Sequence, residues 1–476
     1  MSNLHNPTAS APEPTDTPDP RRWAALVVLL AGSFLPPLDF FIVNTTLPSI
    51  RASLHASSAT VQLVISGYAA SYAVFLIAGG RLGDLYGRRR VFAAGLLGFA
   101  GASVICGVAW SPAVLIAGRV LQGVTAAVMA PQSLASIHAL FPANEKAKAL
   151  GYYGTTFGLA SVVGQMLGGA LIAANPFGLG WRSVFLVNLP VAAFAIPAAL
   201  LLIRENRAGR PPRLDVRGVV LLAATLSALV VPLIAGREQG WPDWSIALLL
   251  GFLPLLTLFW RHEHRVVRDG GDPLVIPAML RAPGLLRGLV ATLCFYAIAA
   301  FFLTFSIYEQ SGLGRSPLHA GLALLPLAIG FMLGPLTSPR LHRHLGARTP
   351  VVGMVLEVIS LVGVALSVHT DTSYFLSSAL FVLGFGQGIA LPTLVRALID
   401  RVEGKIAGLV SGLVSSVLQI SAALSVAVIG GLFYSVLGNR SDPATITYAF
   451  TISTVIISVS LFAAALLVNG LEPVRK

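Results

Sequence analysis

The stretch GRLGDLYGRRR, residues 80–90, holds four arginines and one aspartate, yet residues 52–80 before it and 91–118 after it contain no Lys, Arg, Asp or Glu. An apolar run of about 20 residues crosses a hydrocarbon core of roughly 30 Å as a helix. Both flanking runs are longer than that, so the stretch reads as a charged turn between two membrane crossings. The rest of the chain agrees. Its 476 residues are 55% hydrophobic and 11% charged, with a mean hydropathy of +0.79, far outside the usage of soluble domains.

Working outward from that turn, apolar runs and turn signals such as NPFGLGW (175–181), REQGWPDW (237–244) and GNRSDP (438–443) predict fourteen helices. They cover 23–47, 60–80, 91–109, 112–138, 149–174, 182–203, 217–236, 245–260, 285–310, 318–338, 350–369, 373–395, 406–435 and 445–469. The net charge of +12 would by itself suggest a nucleic-acid partner, so its placement matters. With the amino terminus in the cytoplasm, inner segments carry 26 of the 32 Lys and Arg and outer loops carry five: Arg51, Arg182, Arg237, Arg315 and Arg440. Arg119 alone falls in a helix interior; Arg182, Arg217 and Arg287 start helices and are counted with the flanking segments. This bias sets both termini on the cytoplasmic side, makes the basic charge a topology signal and excludes nucleic acid as a partner.

Residues 1–22 read as a disordered cytoplasmic tail. Arg21 and Arg22 look like the start of a signal peptide, but the apolar run after them is too long and lacks a small-residue cleavage site. It is expected to stay as the first helix. An internal repeat organises the remainder of the chain. PRLHRHLGAR (339–348) aligns with GRLGDLYGRR (80–89), matching Arg81 to Arg340, Leu82 to Leu341 and Gly87 to Gly346, with Arg343 opposite Asp84. LQGV (121–124) and GQGI (386–389) keep the same register. The repeat gives a six-helix half over 23–203, linkers and an extra helix pair over 204–284, a second six-helix half over 285–471 and a tail over 472–476. The fold class expected is an all-α integral membrane protein, and repeated halves around a midplane site are a common transporter architecture.

Isolated polar groups in the apolar runs mark the candidate site. Asp39 lies well inside the first helix, where a carboxylate costs about 2.5–3.5 kcal/mol. Pro36 and Pro37 just before it free backbone carbonyls. Asp39, Val43 and Thr46 share one helical face, which is expected to line a cavity. Asp39 then serves either as a proton site or as a structural, hydrogen-bonded carboxylate. Arg119, with Gln122 one turn on, wants a partner that Asp39 or a substrate can supply; a static ion pair is the alternative. Glu357 is a second carboxylate at membrane depth, read as a proton or substrate site or as an interhelical hydrogen-bonding group. Glu309 and Gln310 end the ninth helix, where they can line an exit. Gly154, Gly158, Gly164, Gly168 and Gly169 give the fifth helix a small-residue packing face, and Gln165 among them is a candidate cavity contact. Cys106 and Cys294 sit in different apolar helices and read as core. The HEH run at 262–264 lacks metal-ligand spacing on one helical face, so no metal and no cofactor are expected. No Walker lysine motif, G-x-S-x-G elbow or H-E-x-x-H motif is present, which argues against an enzyme or an ATP-driven pump.

Several stretches together resemble the major facilitator superfamily, and within it the fourteen-helix drug:proton antiporters. GRLGDLYGRRR resembles the loop between the family's second and third helices, LDFFIVNTTLP (38–48) its first-helix motif and RVLQGVTAA (119–127) its fourth-helix motif. GLASVVGQMLGG (158–169) is similar to the antiporter motif of the fifth helix and WRSVFLVNLP (181–190) to the entry of the sixth. DVRGVVLL…GREQGW (215–241) and SPLHAGLALLP (316–326) suggest the fourteen-helix subgroup. The resemblance covers most of residues 23–469. One departure is Gln165, where the family motif has proline.

The resemblance implies that Gly80, Arg81, Gly83, Asp84, Gly87 and Arg88 form a cytoplasmic gate that latches the two halves when the protein faces outward, and that Arg119 takes part in proton coupling. It implies a monomeric multi-pass protein of a bacterial cytoplasmic membrane whose partners are a small-molecule substrate, protons and the bilayer. The expected activity is export of lipophilic, cationic compounds in exchange for protons. A dedicated exporter of one natural product or siderophore and a proton-coupled metabolite symporter are the alternatives.

Overall fold

The computed structural model describes residues 20–205, 213–368, 373–402, 407–438, 440 and 442–469. The expected terminal tails lie almost wholly outside the described residues. The protein is a bundle of long helices, and all the regular structure described is helical. In chain order they are α1 (Arg22–Asn44), α2 (Ser58–Tyr86), α3 (Arg88–Gly107), α4 (Pro112–Leu140), α5 (Asn144–Ala174), α6 (Gly180–Leu202), α7 (Val216–Gly236), α8 (Asp243–Arg268) and α9 (Leu285–Gly312). A continuous 51-residue run, Pro317–Ser367, comes next, and then α12 (Tyr374–Ile399), α13 (Leu409–Leu437) and α14 (Pro443–Asn469). Thirteen of these stretches are long and apolar enough to cross a membrane among the described residues, one fewer than the fourteen expected. The difference lies in the 51-residue run, which Gly346 at φ 53° and a 3₁₀ turn divide into α10 (Leu325–Leu345) and α11 (Thr349–Ser367).

The opening stretch is not a loop. α2 runs through it to Tyr86, and the chain turns at the single residue Gly87, whose φ of 99° only glycine adopts cheaply. The second copy of the repeat does the same at Gly346. Other ends move in the same direction. α8 continues to Arg268 and α10 to Leu345, beyond the predicted 260 and 338. Arginine is a good helix former, and its stem lies along apolar neighbours while its head reaches water. Basic residues read as loop are therefore the last turns of helices. α1 is the exception: it stops at Asn44, and a break at Thr45 and Thr46 precedes a short helix, Leu47–Leu54.

Helices α1–α6 pack on one another, as do α9–α14. The two groups meet where α2 lies against α13 and where α5 lies against α10 and the short helix Pro317–Ala323 before it. The pair α7–α8 sits outside both groups, with α7 against α2. The α5 glycines set how closely α5 approaches α1 within its own group and the second group across the cleft. A methyl group at Gly164 or Gly168 would meet the backbone of α1 at Leu38 or Ile42, and one at Gly169 would meet Pro317 and Leu318. Gly158 faces Met332 more loosely, and Gly154, expected to pack, faces open space. Gly168→Ala is therefore expected to destabilise the protein by about 1–3 kcal/mol. Gly154→Ala should stabilise it by about 0.5–1 kcal/mol, the usual gain for removing a glycine from a helix. Thermal unfolding of the two purified variants checks the contrast in sign.

Candidate functional site

A cavity of about 90 Å³ lies where the two groups of helices face each other. Ser33, Pro36, Pro37 and Phe40 of α1 form one wall. Tyr68 and Tyr72 of α2, Ala130 of α4, Tyr153 of α5, Tyr296 of α9 and Gln419 of α13 form the rest. Four tyrosines and a phenylalanine line it, and no charged side chain does. This corrects the expected lining. Residues 33, 36, 37 and 40 are one helical face, and Asp39 lies roughly 110° round from it at 100° per residue. Asp39 therefore points away from the cavity into the first group, Val43 continues the Pro36 side of α1 beyond the cavity, and Thr46 lies past the end of α1, so none of the three lines it. Gln122 and Gln165 are buried as well.

Asp39 sits at the centre of a buried polar network. Its Oδ2 accepts from Arg119 Nη1 in an ion pair whose two side chains are both 0% exposed. Its Oδ1 accepts from Gln122 Nε2 at 3.1 Å and Asn188 Nδ2 at 2.9 Å. Gln122 and Asn188 both also donate to Ser103 Oγ, at 3.0 and 3.2 Å. Arg119 donates to the Val64 carbonyl at 2.9 Å and to Gln122 Oε1 at 2.9 Å. Five helices, α1, α2, α3, α4 and α6, thus meet at one carboxylate. Two expected partners, Arg119 and Gln122, are brought to Asp39. Asn188 and Ser103 were not singled out in the sequence. The signal for Asn188 was an amide inside an otherwise apolar helix.

Tyr68 joins the network to the cavity. The Arg119 guanidinium lies over its ring at 4.4 Å, and its hydroxyl donates to the Pro36 carbonyl at 3.0 Å. The two prolines leave the carbonyls of Gly32 and Ser33 without helical donors, whereas the Pro36 carbonyl takes the Tyr68 hydroxyl at a position that Phe40 N–H can also reach. Tyr68 also lines the cavity. Its ring therefore stands between the cavity and the ion pair.

The remaining candidates lie elsewhere. Glu357 of α11 is fully buried more than one helix away, both carboxylate oxygens lacking a hydrogen-bond partner, beside the close crossing of Gly353 with Gly386 of α12. Glu309 is buried and paired with Arg315 at 2.9 Å. Gln165 is buried with neither amide atom bonded. Gln310 Nε2 donates to the Thr45 carbonyl at 2.9 Å, and Ser306 Oγ donates to the Asn44 carbonyl at 2.7 Å. Those carbonyls are available because α1 breaks there. With Phe41 against Phe302 at 5.1 Å, these contacts close α1 onto α9 at the end of the bundle opposite Arg22.

At the Arg22 end the gate stretch packs within the first group and against the linkers. Asp84 pairs with Arg88 at 3.2 Å, one turn along. Gly80 faces Pro131, and Gly83 packs on Gln132 of α4. Arg81 is buried and donates to the carbonyls of Arg213, Asp272 and Pro273 in the linkers around α7–α8. Arg81 thus grips the linkers of the inserted pair, where its buried guanidinium finds three carbonyls. Beside it Asp215, His262 and Glu263 bring ligand-type atoms within 4.8 Å of one another. Asp215 already caps α7 through Gly218 and takes His262 at 2.8 Å, and Glu263 takes the Val275 amide at 2.8 Å. These bonds account for the cluster as a clamp on the linker.

Residues 29–426 match the family described as Major Facilitator Superfamily. The chain is 37% identical to a probable actinorhodin transporter of Streptomyces coelicolor over 91% of its own length and 75% of that protein. It is 36% identical to a puromycin resistance protein of Streptomyces alboniger over 87% of its length and 82% of that protein. Among solved structures it superposes on a bacterial homologue of the human lysosomal transporter Spinster, in an inward-facing, unoccupied conformation. That superposition has a TM-score of 0.67 at 17% identity and covers 95% of this chain and 97% of that one.

Proposed function

Because the chain belongs to the Major Facilitator Superfamily, whose members are transporters rather than enzymes, we propose that it is a proton-coupled exporter of lipophilic aromatic compounds, working by alternating access between two six-helix halves with both termini in the cytoplasm. The observation that carries this reading is the shared wall: Tyr68 touches the cavity on one side and the Asp39–Arg119 pair on the other. With α1 closed onto α9 at the outer end, Asp39 neutralises Arg119. A compound entering from the cytoplasmic side stacks on the tyrosine rings. After reorientation, a proton taken up by Asp39 from outside leaves Arg119 without its counter-charge. The guanidinium then sits uncompensated behind the Tyr68 ring, which weakens the site for a cationic or polarisable ligand and favours release. For an uncharged compound, one proton moving down 100 mV releases about 2.3 kcal/mol, enough to sustain a roughly 50-fold gradient at about 1.4 kcal/mol per decade; exchange of one proton for one monovalent cation is driven by the pH gradient alone.

The cavity contains no carboxylate, so a cationic substrate is held by ring faces rather than by Asp39 itself. Glu357 is the second candidate proton site in this reading. A dedicated exporter of one natural product is the other reading; the relatives named for actinorhodin transport and puromycin resistance favour it.

The test uses inverted membrane vesicles made acidic inside and a panel of fluorescent lipophilic compounds. Uptake of several panel members that collapses with a protonophore is the expected result. Uptake of a single panel member would favour the dedicated exporter. Uptake indifferent to the protonophore would contradict proton coupling.

A further inference from the structure

The turn between α7 and α8 holds two adjacent charged residues that grip different halves. The Glu238 carboxylate accepts from Ser58 Oγ at 2.7 Å and from the Ala59 amide at 3.3 Å, at the first turn of α2. A carboxylate there also meets the positive end of the helix. Arg237 Nη1 donates to Ser435 Oγ of α13 at 3.1 Å. Beside that contact Arg51, from the short helix after α1, lies over the Tyr434 ring at 5.8 Å. At the opposite end of α2, Arg81 holds the linkers that enter and leave the inserted pair. The pair is thus fastened to α2 at both ends, while its outer turn reaches the second half through Arg237 and through packing of Pro232–Gly236 against Val426–Gly430 of α13. That guanidinium is incompletely satisfied: Nε and Nη2 have no hydrogen-bond partner.

We propose that α7–α8 is a strut that travels with the first half, and that Arg237 is its latch, holding the outer mouth shut by gripping Ser435 until each outward opening breaks the contact. The proposal rests on the alternating-access reading above and gives the inserted pair a task in it. A bond that must break and re-form is suited to a half-satisfied, partly exposed arginine. The anchors, by contrast, are a buried arginine on three carbonyls and a helix-capping carboxylate.

Two measurements test it, both in protein whose Cys106 and Cys294 are replaced by serine. First, a cysteine introduced as Ser306→Cys, buried in the closed outer contact, is labelled from outside. Adding Arg237→Met should raise the labelling rate about 3- to 10-fold, as expected for loss of one partly exposed charged hydrogen bond. An unchanged rate overturns the latch. If substrate also fails to change labelling in the protein with native Arg237, alternating access itself is in error, which separates the two failures.

Second, a cleavable thiol cross-link between Arg237→Cys and Ser435→Cys should cut export at least 10-fold and release it on cleavage. A link between Glu238→Cys and Ser58→Cys should leave export unchanged. Export that survives the first link, or is stopped by the second, overturns the strut.

Discussion

Arg119→Leu is expected to lower stability by about 3–5 kcal/mol and to abolish export. The substitution strands the Asp39 carboxylate where neither side chain of the pair reaches solvent, and breaking a fully buried pair from one side costs that much because the remaining charge has no water to turn to. The companion Asp39→Asn/Arg119→Leu removes both charges. Gln122 and Asn188 still have an amide oxygen to donate to, so most of the lost stability should return. Export should not return, because the group proposed to carry the proton is gone. Thermal unfolding of the purified variants and vesicle uptake separate the two effects. If the double variant regains export along with stability, the pair is only a structural tie.

Tyr68→Leu is expected to reduce export at least 10-fold and to cost about 2–4 kcal/mol. The loss combines a large buried ring, its stacking with Arg119 at 4.4 Å and its hydrogen bond to the Pro36 carbonyl. Tyr68→Phe keeps the ring between cavity and ion pair and gives up only the hydrogen bond, about 0.5–1.5 kcal/mol. Its export should remain within a few-fold of the native rate. Equal losses in both variants would mean that the hydroxyl, rather than the ring, links substrate to the pair.

Much of this arrangement is legible in the residues because a bilayer leaves so few options. The crossings come from run length, and the repeat shows in two glycines, Gly87 and Gly346, that both end a helix with positive φ. Asp39, Arg119 and Gln122 stand out because polar groups at that depth are rare. What the residues do not reveal is direction around a helix axis. The choice of Asp39, Val43 and Thr46 as the cavity face was a choice of face with nothing to orient it, since α1 is buried on almost every side from Leu35 to Asn44. The cavity face is instead 33, 36, 37 and 40, residues that carry no charge to draw notice. Tyr68 was missed for a related reason: a tyrosine in an apolar helix looks like packing until its two neighbours are known. The sequence marks Arg81 as a gate residue but does not reveal its contacts, because its partners are backbone carbonyls more than 130 positions away, and carbonyls have no signature in sequence.

The central claim is that substrate in the cavity and a proton on Asp39 exclude each other across Tyr68. The most direct test is proton release by purified protein in weakly buffered detergent solution when a transported compound is added. The account predicts release from the native protein, near its pH of half-maximal export, and none from Asp39→Asn that still binds the compound. Undiminished release from Asp39→Asn would contradict it and move the proton to another group, with Glu357 the first to examine.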